Sequence, residues 1–152
     1  MIRVNRILAA ADFSSSSAHA IEHACELAAR FGSELHLLHV LEVHATTTPM
    51  FAGGLAVSAW VRESRTAAER ELERVIDPVW NFRGTVVRAT VEGTPFLEII
   101  RYARTHDIDL IVLGTHGRSG VSHFLMGSVA ERVVRKADCP VLTVKPRETH
   151  AS

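Results

Sequence analysis

Short apolar runs alternate along the chain with longer segments whose apolar positions recur every three or four residues. This is the pattern of βαβ units wound about a parallel sheet. Ile7 to Ala11 reads as a first strand, followed by Asp12-Phe13 and by Ser14 to Ser17, a cluster rich in helix-capping side chains. The helix predicted behind it puts Ile21, Cys25, Ala28 and Phe31 on one face and stops at Gly32, a residue suited to a left-handed cap. Glu34 to Val43 is nearly continuous in apolar residues, as a strand buried on both faces should be.

The connection from His44 to about Val57 is longer than the usual run of about 2–6 residues, which marks it as a lid over a site or a surface insertion. A charged helix is predicted from Ala59 to Asp77, with Leu72, Val75 and Ile76 inward, and a third strand from Thr85 to Val91. Thr94-Pro95 opens the next helix with a cap and a proline at its first position; Phe96, Ile99, Ile100 and Ala103 form its apolar stripe. Leu110 to Leu113 is a fourth strand, Ser128 to Lys136 a last helix with Ala130, Val133, Val134 and Ala137 on its buried face, and Val141 to Val144 a fifth strand. The expected architecture is α/β: a five-stranded parallel sheet with helices on both faces, a three-layer sandwich. No linker, repeat or low-complexity tract interrupts it, so residues 1–152 read as one domain with its core at 3–146. Right-handed crossovers restrict the winding, and ligands of such sheets collect beyond the carboxyl ends of the strands, where strand order reverses.

Composition adds mainly exclusions. The 152 residues are 47% hydrophobic and balance 17 Lys+Arg against 17 Asp+Glu, which speaks against disorder and against the basic footprint of a general nucleic-acid binder. No apolar run approaches the roughly 20 residues of a membrane-spanning helix. Cys25 and Cys139 form no CxxC pair and read as buried thiols of a reducing compartment, so a cytoplasmic protein is expected. The cations are lopsided, 15 Arg against Lys136 and Lys145 alone. Neither lysine follows a glycine, which excludes a P-loop, and Ala9-Ala10-Ala11-Asp12 lacks the glycines of a dinucleotide fingerprint.

The informative segment follows the fourth strand: Gly114-Thr-His-Gly117-Arg118, then an arm that returns to Gly127-Ser128 at the start of the last helix. Glycine lets backbone amides approach a ligand without a Cβ in the way. The first amides of a helix lack intrahelical acceptors and carry about half a positive charge, so a phosphate chain suits them. Ser128 can donate its hydroxyl there, or simply cap the helix, and Arg118 can add charge. Asp12 stands where the crevice should open; it can accept bonds from ribose hydroxyls, help hold a divalent ion beside phosphates, or cap the first helix. The backbone of Val40, near the end of the second strand, matches the donor and acceptor pattern of an adenine edge.

These residues resemble those of the universal stress protein family, and the resemblance runs over roughly residues 3 to 146. Its specific part is the spacing G-2x-G-9x-G-[ST], met by Gly114, Gly117, Gly127 and Ser128. The family's aspartate after the first strand is met by Asp12, and its hydrophobic residue in the second strand by Val40. The resemblance implies a Rossmann-like, adenine-nucleotide-binding fold with ATP in the crevice, with Mg or Mn as companion ion. It also implies a stress-response role and a homodimer joined through the fifth strands, 141–144. Ala11, Leu113 and Val129, neighbours of the motif positions, complete the expected site. Ala10-Ala11 departs from the Pro-[ST] common before the aspartate and removes a hydroxyl contact.

Two other readings stay open: a dimeric scaffold of the same fold without nucleotide, and a slow ATPase. No Ser/His/Asp, HExxH or GxSxG arrangement supports dedicated catalysis. Among the nine histidines, His19 and His23 share a helix face without a third ligand, His36 and His39 fall on opposite faces of a strand, and His116 sits within the glycine turn.

Overall fold

The computed structural model describes residues 1–43, 54–116 and 126–147. Five parallel strands, β1 (Arg6–Ala10), β2 (Glu34–Leu41), β3 (Val86–Glu92), β4 (Leu110–Gly114) and β5 (Val141–Val144), lie in the order β3-β2-β1-β4-β5. The chain winds outward from β1 to β3, then crosses to the other side of β1 for β4 and β5. Strand order therefore reverses between β1 and β4, and the crevice opens at their carboxyl ends.

Helices α1 (Ser15–Phe31) and α2 (Gly54–Arg74) cover one face; α3 (Pro95–Thr105) and α4 (Ser128–Lys136) cover the other. Alternation along the strands feeds both layers. Ile7, Ala9, Leu35, Leu37 and Val112 pack with Ile21, Cys25 and Leu72, whereas Leu8, Leu38, Ile111 and Leu113 pack with Ile99, Tyr102 and Val133. Such two-sided burial is why β2 lacks a polar face.

The end signals of α1 act as expected. Ser14 accepts the amide of Ser17, and Gly32 closes the helix with φ +67°. Other expectations are corrected. Phe31 is 56% and Val134 46% exposed, each at the edge of its helix's apolar arc, where the sheet no longer reaches. β2 ends at Leu41, and α2 starts at Gly54 and ends at Arg74; Val75 and Ile76 pack against the core from beyond the helix. Asp77 caps a single 3₁₀ turn at Pro78–Trp80, which no apolar period announces. Cys25 is buried, but Cys139 only partly so, and both are free thiols. Of the long connection after β2, residues 44–53 lie outside the described residues, as do Gly117 and Arg118. No helix among the described residues is long and apolar enough to cross a membrane.

Candidate functional site

The last rung between β1 and β2 is the bond from the Ala11 amide to the Leu38 carbonyl, 2.8 Å, after which the chain turns off the sheet. Asp12 shapes that turn: one of its carboxylate oxygens accepts both the amide (2.9 Å) and the hydroxyl (2.5 Å) of Ser14. Ser14 in turn caps α1. Asp12 is thus not the cap of the helix, as one expectation had it, but the residue that orients the cap. Phe13 between them has φ +64°.

β2 runs on past the end of β1, pairing His39, Val40 and Leu41 with Thr90, Val91 and Glu92 of β3. In a parallel strand the peptide groups point alternately to the two neighbours. Because the Leu38 carbonyl serves β1 and that of Leu41 serves Gly93 beyond β3, the N–H and C=O of Val40 point to the β1 side, where β1 has already left.

At β4 the absence of a side chain on Gly114 has a packing reason. A Cβ there would stand 2.8 Å from the carbonyl oxygen of Ser16, so only glycine lets the strand pass the first turn of α1. Thr115 then ties β4 to β5 and to the far end of the arm: its amide donates to the Val144 carbonyl at 3.1 Å and its carbonyl accepts from the Gly127 amide at 2.5 Å. The two ends of the glycine segment are thereby held side by side. Adjacent to them, the His116 amide donates to the Ser16 hydroxyl at 3.3 Å, and the His116 ring meets Thr115 Oγ1 at 2.9 Å.

The first intrahelical bond of α4 runs from Glu131 to Gly127, and Gly127 brings no side chain to cap what lies between. Among the described residues no side chain caps the amides of Ser128, Val129 and Ala130, which stand at the positive end of the helix dipole. Gly127 has φ −60° and ψ 155°, angles open to any residue, so backbone conformation does not demand a glycine there.

Ala11, Asp12, Val40, Leu113, Gly114, Gly127, Ser128 and Val129 all line one cleft of about 770 Å³, within the usual size of a small-ligand pocket. The cleft brings in residues that sequence reasoning did not select: Trp60, Ser64 and Glu71 of α2, Pro95 at the start of α3, and His39. Nothing in the local pattern of α2 marks these positions, because they meet the cleft only through the crossover. The Nδ1 of His23 donates to the His19 carbonyl at 2.8 Å, and the two histidines acquire no third ligand among the described residues. Among the described residues no three His, Cys, Asp or Glu side chains form a metal-binding group.

A sequence model of the universal stress protein family matches residues 3–145. The chain belongs to the universal stress protein family. It is 33% identical over 146 residues to universal stress protein MJ0531 of Methanocaldococcus jannaschii, an alignment spanning 92% of this chain and 81% of that protein. The fold matches the universal stress protein UspA from Lactobacillus plantarum with a TM-score of 0.83 at 27% identity, over 95% of this chain and 99% of the other. It also matches the universal stress protein from Archaeoglobus fulgidus in complex with dAMP, TM-score 0.67 at 22% identity, over 95% and 100% of the two chains. That last likeness is one of fold.

Proposed function

We propose that the chain binds ATP in the cleft at the carboxyl ends of β1 and β4, and that nucleotide occupancy regulates a stress response. The observation that carries this reading is the convergence of three chemically distinct walls on one cleft. The uncapped amides of Ser128, Val129 and Ala130 fit the phosphates, with Gly114 and Gly127 keeping side chains out of the way. Asp12 fits the ribose hydroxyls or a Mg or Mn ion travelling with the phosphates. The unladdered peptide groups of Val40 fit the adenine edge, with Leu113 and Ala11 as apolar surroundings. The residues present thus fit the nucleotide in kind and in number, and Gly117 and Arg118 join the same reading through the motif spacing. That a member of this fold was solved with dAMP supports an adenine nucleotide as the ligand. The reading extends to a cytoplasmic homodimer. β5 is an edge strand whose Leu142 is 37% exposed, and edge strands of this kind are covered by pairing.

Gly127→Val tests the site. The backbone angles there admit valine, so the variant is expected to fold like the wild type, while its side chain crowds the approach to the α4 amides. Isothermal titration with Mg·ATP should show heat for the wild type and none for the variant. Equal heats for both would remove the α4 terminus from the site. Sedimentation at micromolar concentration should give a dimer.

A further inference from the structure

His39 touches both neighbours of Asp12, and the nucleotide reading makes no use of it. Its side chain lies on the α1/α2 face of β2 and is only 8% exposed. Its Nδ1 is 2.7 Å from the carbonyl oxygen of Ala11. A carbonyl only accepts, so Nδ1 carries the proton and donates it. The same ring stacks on Phe13, with centroids 4.6 Å apart and planes 26° from parallel.

Each contact compensates for something the turn gives up. Were the β1–β2 ladder to continue beyond Ala10 and Leu38, the Ala11 carbonyl would take the amide of Val40. The imidazole takes it instead, so that β1 can leave the sheet without stranding a buried carbonyl, and Val40 keeps its N–H toward the crevice. Phe13 occupies the left-handed region at φ +64°, a conformation a bulky residue keeps only where its surroundings hold it. The stack on His39 is such a hold.

Resting on the nucleotide reading, we propose that His39 is the positioning residue of this site: by gripping Ala11 and Phe13 it fixes the backbone on both sides of Asp12, and with it the carboxylate that lines the cleft. His39 acts through Asp12 rather than by contact with the nucleotide. Its role resembles that of an outer-shell partner that orients a ligating group, whose removal typically weakens binding about 10–100-fold.

The test uses the full chain as wild type, His39→Phe, His39→Gln, Asp12→Ala and the double variant His39→Phe/Asp12→Ala, each shown folded by circular dichroism. His39→Phe keeps a ring for Phe13 but loses the bond to Ala11; His39→Gln keeps a donor without the ring and stands in if the first does not fold. Titration with Mg·ATP should find His39→Phe weaker by about 10–100-fold, and the double variant no weaker than Asp12→Ala alone. The nitrogen-15 spectrum without nucleotide should show the Ser14 amide, which donates to Asp12, displaced in both His39 variants. Unchanged affinity, or losses that add in the double variant, would overturn the proposal. A wild type that binds no ATP would defeat the nucleotide reading instead. The Ser14 amide then decides alone: displaced, it supports the grip on Asp12; unmoved, it rejects it.

Discussion

His36 and His39 stand three residues apart on β2, both buried, on opposite faces and toward opposite ends of the sheet. Near the amino end, both nitrogens of His36 are committed. Nε2 lies 2.7 Å from Glu34 Oε1 and Nδ1 lies 2.8 Å from the Tyr102 hydroxyl. Tyr102 stacks on His106 at 3.8 Å, and Arg6 reaches both the His106 carbonyl (3.1 Å) and Glu34 (3.8 Å). Burial, reinforced by the nearby Glu34 carboxylate, pushes the Tyr102 phenol above its ordinary range, so it stays protonated and able to donate. That end is a closed polar network. Near the carboxyl end, His39 has one nitrogen on Ala11, and no described residue bonds the other; the cleft it lines is also lined by Val40 and by Ser128 and Val129 at the start of α4. The same residue type closes one end of the sheet and furnishes the other. Among the described residues, unspent hydrogen-bonding capacity, more than burial or residue identity, distinguishes the end at which the nucleotide is proposed to bind.

Gly114→Val should break the open end most severely. The added atoms meet the backbone of Ser16, which cannot rotate aside, and overpacking of this kind costs about 1–3 kcal/mol. Urea unfolding should show the lower midpoint, with Mg·ATP binding lost as well.

At the closed end, Tyr102→Phe leaves Nδ1 of the buried His36 without its donor and should cost about 1 kcal/mol of stability. Titration should find nucleotide affinity within error of the wild type. A fall in affinity would show that the two ends are coupled through β2.

The smallest effect belongs to the exposed pair of Arg104 and Asp138, also at the closed end. The Arg104 guanidinium, by its hydrogen bond first and its charge second, holds the Asp138 carboxyl below the usual carboxylate range. A lowered carboxyl contributes stability that is present above its ordinary value and fades as the pH falls through the lowered one. Arg104→Gln should therefore lower the urea midpoint slightly at pH 6, and by progressively less as the pH falls below the ordinary carboxylate value. A loss as large as that of Tyr102→Phe would mean that surface pairing, and not the buried network, closes this end.

Much of the architecture was legible because its causes are local. Proline after Thr94, the serines after Phe13, Gly32 and the apolar runs each act within a few residues, so the five strands and four helices fall near their predicted places. Helical period places Phe31 and Val134 inward because it reports which side of a helix is apolar, not how wide a neighbour covers it. Glycine spacing assigns Gly114 to the ligand, yet its first constraint is the backbone of Ser16, nearly a hundred residues away in sequence. Nothing near His39 in the sequence points to its role, since its partners, Ala11 and Phe13, belong to another strand's end.

By itself the sequence determined the order and kind of the main elements, because periodicity and caps are written along the chain, and it carried the resemblance that names the family and proposes Asp12, Val40, Gly114, Gly127 and Ser128 for the site. Only the tertiary structure decided that β1 ends short of β2, that Thr115 ties the Gly127 amide to the end of β4, and that an imidazole from the neighbouring strand grips both flanks of Asp12. Those facts depend on register and on which strands are neighbours, and register is a property of the packed sheet rather than of any one segment.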